Sequence, residues 1–205
     1  MIDSGELGLD VSRETLARLH SFAEALERWN RSINLVAPST ISELWERHIR
    51  DSVQVFTHAP KTARHWVDLG SGGGLPGLVC AVLAAELMPE CRFTLIESDK
   101  RKSAFLMTTA QALGIAITVL PKRVEQVPPQ NADIVSARAL AALPQLLELV
   151  SRHLSPQGIA LLPKGKSYEQ ELAAASGEWQ FDVKIMPSQT DPLARVLIIK
   201  DIFRD

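Results

Sequence analysis

A mostly parallel β-sheet with helices on both faces, closed by an antiparallel strand and preceded by helices, is the α/β fold this sequence predicts. Three observations carry the prediction. From residue 65 onward, short apolar runs alternate with helix-period segments, the rhythm of strand–helix–strand units. The last two strand-like runs, 179–186 and 196–199, are separated only by a turn-rich stretch, so they close the sheet as an antiparallel pair. The residues before Pro60 carry helical periodicity alone. The expected organisation is a helical segment, 1–60, packed on an α/β domain, 61–205, as one compact and monomeric unit.

Taken in order, the elements justify themselves. Over 12–34, Leu16, Leu19, Phe22, Leu26, Trp29 and Ile33 recur at three- and four-residue steps, one face of an amphipathic helix with Asp10 or Ser12 as N-cap and Pro38 as its end. A second helix from about residue 41 puts Leu44, Trp45, His48, Ile49, Ser52, Val53 and Phe56 on one side. Trp29 and Trp45 lie on these apolar faces and read as core, not as base-stacking platforms. Strands follow at 65–69, 93–96, 117–120, 133–136 and 159–162, with helices at 77–87, 102–113 and 143–154. Their near-continuous apolar character is that of strands covered on both sides.

Composition narrows the class. With 46% hydrophobic and 22% charged residues, 205 residues are enough for one ordinary globular core. A net charge of −2 excludes a protein that coats nucleic acid with its whole surface, so any RNA contact has to come from a local patch. The apolar stretch 78–87 is too short to span a bilayer, and MIDSGELGLD has no basic-then-apolar leader; a cytoplasmic chain without a membrane partner is expected. Cys80 and Cys91, the only cysteines, fit no metal-ligand spacing, so buried thiols and no metal are expected.

The chemistry concentrates in Asp68-Leu69-Gly70-Ser71-Gly72-Gly73-Gly74-Leu75-Pro76-Gly77, which leaves a predicted strand and enters a predicted helix. Glycines at 70, 72 and 74 permit positive φ and close approach of a ligand to the backbone. Dinucleotide spacing needs a further glycine where Leu75 stands, and no Gly-Lys-Ser/Thr is present for a triphosphate. Glu97, ending the next strand, can accept hydrogen bonds from both ribose hydroxyls of an adenosine, with Asp99 as a substitute. Beyond the third strand, Val124 and Glu125 of Arg123-Val124-Glu125 can read an adenine edge through a backbone N–H and a carboxylate. Arg138, after the fourth strand and flanked by small and apolar residues, faces both cofactor and substrate. The cofactor set read from these residues is Asp68, Gly70, Gly72, Gly74, Glu97, Val124, Glu125 and Arg138.

No nucleophile–base pair is legible, and neither cysteine follows the fourth or fifth strand. An acceptor with an available lone pair, such as guanine N7, needs no base, and the protein then mainly aligns the reactants. Arg138 and Lys164 are the candidate positioning residues, able to hydrogen-bond a guanine edge or a phosphate. Arg123, Lys164, Lys166 and Arg195 are the candidate RNA contacts. His48 reads as structural support beneath the glycine loop and not as a catalytic base, with Arg47 and Asp51 on neighbouring turns; the alternative is that this helix walls the cofactor pocket.

With these residues in place, the chain resembles the RsmG (GidB) family of bacterial guanine-N7 methyltransferases of 16S rRNA. The likeness runs over nearly the whole chain: Trp29-Asn30 with Asn34-Leu35, Arg47-His48 with Asp51-Ser52, VDLGSGGGLPG at 67–77, Arg123-Val124-Glu125, Ser136-Ala137-Arg138-Ala139 and Lys164-Gly165. The resemblance implies a Rossmann-like class I fold and S-adenosylmethionine held by Gly70, Leu75, Val124, Glu125 and Arg138; Leu75 joins the cofactor set only on this ground. It further implies as substrate a guanine of the 530 hairpin, the position-527 type, in the small ribosomal subunit. Val196 departs from the family's usual Arg-His at this point, whereas Ser71 for threonine preserves a hydroxyl. A small-molecule methyltransferase on the same fold and a non-catalytic nucleotide-binding regulator are the competing readings.

Overall fold

The computed structural model describes residues 7–204. The reading of the first residues as lacking a leader falls largely on 1–6 and so lies outside the described residues. Seven strands form one sheet in the order β3-β2-β1-β4-β5-β7-β6. They are β1 (His65–Leu69), β2 (Arg92–Ile96), β3 (Thr118–Leu120), β4 (Ala132–Ala137), β5 (Leu154–Lys164), β6 (Trp179–Pro187) and β7 (Arg195–Arg204). The first five pair in parallel, and β7 enters antiparallel between β5 and β6. Strand order reverses between β1 and β4, and a ligand crevice is expected beyond their carboxyl ends.

Helix α1 (Arg13–Asn30) begins where Ser12 Oγ accepts from Thr15 N, and the Glu86 carboxylate accepts from the Ser12 N–H at 2.9 and 3.0 Å. It ends at Asn30, short of the expected 34. The Asn30 side chain accepts from Leu35 N and Val36 N (2.8 and 2.9 Å) and turns the chain there. Where one helix was expected from residue 41, a 3-10 turn (Pro38–Glu43) passes into a widened π turn (Trp45–Arg50) and then α2 (Asp51–Thr57). Widened turns of this kind collect at functional sites. Then come α3 (Gly77–Leu87), α4 (Lys100–Leu113), α5 (Leu143–His153) and α6 (Tyr168–Ala175). The last was not anticipated: it has eight residues, and only Ala175 is buried, so it leaves almost no periodic signal.

The helical preface shares its core with the sheet. Leu19, Phe22 and Leu26 of α1 are fully buried, each contributing about 1.5–3 kcal/mol. Phe105 of α4 meets Phe22 and Trp29 at ring distances of 6.4 and 5.6 Å. Trp66 on β1 stacks between Phe56 of α2 and Phe93 of β2. Helix α3, buried from Gly77 to Ala84, is sandwiched by these layers. Cys80 is buried and Cys91 only partly so; burial raises both thiols, Cys91 to about 11, which leaves them inert. Among the described residues no helix is long and apolar enough to cross a membrane.

Candidate active site

Two cavities lie beyond the carboxyl ends of the parallel strands, and Leu140 belongs to the wall of both. The smaller, about 240 Å³, is lined by Gly70, Gly72, Glu97, Arg123, Val124, Glu125 and Leu140, among others. Its floor is the glycine loop. Gly70 and Gly72 take φ of +65° and +54°, the left-handed region where a Cβ is costly. A Cβ on Gly70 would also fall 2.6 Å from Leu140 Cδ1.

Glu97 is 8% exposed and already tied to the loop: Oε2 accepts from Gly72 N (2.8 Å) and Oε1 from Asp99 N (2.7 Å). A carboxylate offers about four acceptor sites, so each oxygen retains one for a ligand. Val124 opens a 3-10 turn, Val124–Gln126, held from behind by His153, whose Nε2–H donates to Val124 O, and by Arg152, which donates to Val127 O. No backbone acceptor among the described residues takes the N–H of Val124 or Glu125.

Asp68, Gly74 and Leu75 line neither cavity. Gly74 N–H donates to Ser71 O at 2.7 Å, and Leu75 is buried. Asp68 lies beneath the loop, where Oδ1 accepts from Ser136 Oγ (2.6 Å), itself an acceptor from Trp66 Nε1. Burial raises the Asp68 carboxyl to about 6, against the Ser136 hydrogen bond and the Arg138 charge, and Oδ2 has no partner. A Cβ on Gly77 would come within 2.5 Å of that oxygen, so the start of α3 must be glycine for Asp68 to fit.

The larger cavity, about 1270 Å³, gathers its wall from the preface, the end of β4, the start of α6 and the 188–195 segment. Arg138 lines it next to Ala139 and Leu140, which belong to both walls, and its side chain is 20% exposed. Its Nη1 donates to His48 Nδ1 at 3.1 Å and to Asp51 Oδ2 at 3.4 Å. Burial, Arg138 and Arg47 push His48 down to about 4, so its ring is neutral at neutral pH. The expectation that His48 supports the glycine loop is thereby corrected: it faces Arg138 across the cavity wall, because the widened turn carries it toward β4. Asp51 Oδ1 accepts from Gln54 Nε2 (2.7 Å) and Thr190 Oγ1 (3.1 Å). Gln54 and Thr190 escaped the sequence reading because only folding brings positions so far apart together.

The remaining basic candidates separate. Lys164 is 8% exposed, and its Nζ donates to Glu171 Oε2 (2.7 Å) and Ala141 O (3.1 Å), which fastens the segment after β4 to α6. Arg195, at the rim of the larger cavity, donates to Pro192 O and Ala194 O and lies 5.2 Å from the Tyr168 ring centre. Lys166 is exposed between the lining residues Gly165 and Ser167, whereas Arg123 is exposed at the smaller cavity. Val196 is 1% exposed and packs into the core between Pro163 and Met186.

Comparison with known proteins agrees with this geometry. A family model described as GidB, rRNA small subunit methyltransferase G, matches residues 15–195. The chain is 49% identical over 192 residues to the Ribosomal RNA small subunit methyltransferase G of Cereibacter sphaeroides, covering 94% of this chain and 93% of that protein. It is 50% identical over 200 residues to the protein of the same name from Ruegeria sp., covering 98% and 97%. Among solved structures, mitomycin 7-O-methyltransferase MmcR superposes with a TM-score of 0.61 at 16% identity, over 92% of this chain and 67% of that one. A SAM dependent methyltransferase from Aquifex aeolicus gives 0.57 at 12% identity, over 86% and 96%. These likenesses show a class I methyltransferase fold.

Proposed function

The chain belongs to the rRNA small subunit methyltransferase G family, and on that premise we propose that it methylates N7 of a guanine in the 530 hairpin of 16S rRNA. It is a methyltransferase that uses S-adenosylmethionine. The observation that carries the finer reading is the pair of unequal cavities that share Ala139 and Leu140 as a wall, with Arg138 next to it in the larger. The smaller lies below the roughly 300–1000 Å³ of a site that encloses a whole drug-sized ligand, so it suits an adenosine whose cofactor continues past Leu140. The larger is open to solvent and roomy enough for an RNA nucleotide.

S-adenosylmethionine, when bound, supplies a methyl carbon activated by its sulfonium, which guanine N7 can take with its own lone pair. Glu97 would accept from the ribose hydroxyls, the free N–H groups of Val124 and Glu125 would meet the adenine edge, and Gly70 with Gly72 would let the chain of the cofactor pass close to the backbone. Asp68, beneath the loop, would add negative charge under this path at neutral pH, its carboxyl being raised by burial only to about 6. Arg138, between the two spaces, would hold the acceptor base or its phosphate in line with the donor. No base is required, and His48, the imidazole on the wall, is committed at both ring nitrogens, to Arg138 and to Thr40. Lys164, spent on Glu171, would position the segment after β4 rather than touch RNA, which leaves Lys166 and Arg195 as the rim contacts; Arg123 sits over the cofactor.

The reading places a monomer in the cytoplasm with the small subunit or its rRNA as partner. Deletion of the gene, followed by borohydride–aniline cleavage of 16S rRNA, tests it directly, because strand scission reports N7-methylguanosine. The expected result is loss of one cleavage site in the 530 hairpin and its return on complementation. An unchanged cleavage pattern overturns the reading.

A further inference from the structure

We propose that His48 is a positioning residue for methyl transfer, a neutral acceptor that anchors Arg138 by one nitrogen and leaves the rest of its guanidinium for the ligands. The inference rests on the functional reading above, in which the two cavities hold cofactor and guanine.

Geometry settles the role of each atom. Thr40 Oγ1 donates to Ala37 O at 2.7 Å, so its one proton is committed. The contact between Thr40 Oγ1 and His48 Nε2 at 2.8 Å must then be donated by the ring. A neutral imidazole with its proton on Nε2 has an acceptor at Nδ1, and Arg138 Nη1 points a donor at it from 3.1 Å. Three hydrogen bonds thus run from the backbone of residue 37 to the end of β4.

The alternative is a histidine that merely satisfies itself in the core. Two features weigh against it. His48, although only 9% exposed, lies on the wall of the larger cavity. It also sits on the widened turn, where the helical ladder gives way and a side chain can be re-aimed.

The choice of a neutral partner has a chemical consequence. A guanidinium facing two carboxylates would spend its fork on them and lose its net charge to the pair. Here both contacts fall on Nη1, and Asp51, at 3.4 Å, divides itself among Arg138, Gln54 and Thr190. His48 therefore fixes direction without consuming the charge or the Nε and Nη2 hydrogens. Low burial-shifted basicity keeps it an acceptor; a protonated ring would present a second cation to Arg138.

Two variants separate the two ring nitrogens. In His48→Asn, the side-chain oxygen falls near the place of Nδ1 and retains an acceptor for Arg138. In His48→Gln, the amide reaches toward Thr40 and leaves Arg138 without that acceptor. Full-length wild type and both variants are assayed for methyl transfer to small subunits or 16S rRNA. Nitrogen-15 NMR reads the rotation of the Arg138 guanidinium, and thermal melting reads stability. We expect His48→Gln to lose about ten- to hundred-fold in kcat with little change in KM for RNA, and to free the Arg138 guanidinium. His48→Asn should recover most of both, with melting temperatures of the two variants alike. If Asn and Gln fall together, or Arg138 rotates as slowly in His48→Gln as in wild type, the inference is overturned alone. A wild type that leaves N7 unmethylated overturns the functional reading, and the inference with it.

Discussion

The two cavities that meet at Leu140 are made of different materials. The smaller is a backbone site: loop N–H groups, left-handed glycines and one carboxylate pinned by two backbone donors. The larger is a side-chain site, where Arg138, Asp51, Gln54 and Thr190 hold one another, as Lys164 and Glu171 do beside them, across four separate chain segments. A backbone site is set once β1, β2 and the loop have formed. A side-chain site is set only when the preface and the 188–195 segment have docked. The first suits a ligand that is the same in every turnover, and the second a partner whose shape must be recognised.

The largest expected break in this comparison is Gly72→Val. A Cβ there would meet no protein atom nearer than Gly70 O at 3.7 Å, so the main cost to the fold is the strain of φ +54°, about 1–2 kcal/mol for a Cβ and more for a β-branched side chain. The space it enters is the smaller cavity, which on the proposed function would hold the cofactor. Calorimetric titration should show affinity for S-adenosylmethionine down by more than about a hundred-fold while the melting transition stays cooperative. Normal affinity would refute the loop assignment. The same substitution at Gly77 offers the contrast: there the Cβ strikes Asp68, and the fold itself should fail.

How much of each site was legible follows the same division. The backbone site is built at the ends of successive strands, so Gly70, Gly72, Glu97 and Val124–Glu125 could be placed from spacing alone, because a strand end, a glycine and an acid have fixed places in a parallel sheet. Arg138 was legible for the same reason. Asp51–Thr190 and Lys164–Glu171 were not, since no periodicity links a helix to a loop 139 residues away, and α6 carries too few buried residues to announce itself. The preface was legible as helix, but its 3-10 and π turns were not, because periodicity averages over the irregular turn that aims His48.

Lys164 sharpens the comparison at an intermediate size. If it holds the segment after β4, its loss should cost stability as well as activity. Lys164→Met leaves Glu171 facing Leu143 N without its cation, and Glu171→Gln does the reverse. With the lysine 8% and the glutamate 21% exposed, the double-mutant cycle in urea unfolding should give a coupling of about 1–3 kcal/mol. A coupling near zero, with transfer activity lost in Lys164→Met alone, would return Lys164 to direct contact with RNA.

The smallest effect should come from Glu97, where the two materials touch. Its carboxylate serves the protein and, on the proposed function, would serve the ligand as well, so its neutral isostere separates the two roles. In Glu97→Gln one side-chain N–H must face either Gly72 N–H or Asp99 N–H, donor against donor, and the chain should lose about 1 kcal/mol of stability. Binding should weaken by about ten-fold for S-adenosylmethionine, since a charged acceptor to the ribose is replaced by a neutral one. Adenosine alone should lose affinity by the same factor, whereas methionine, which never reaches this end of the site, should not compete differently in variant and wild type. Equal losses for both fragments would mean that Glu97 acts only through the loop, and the smaller cavity would then be a backbone site without exception.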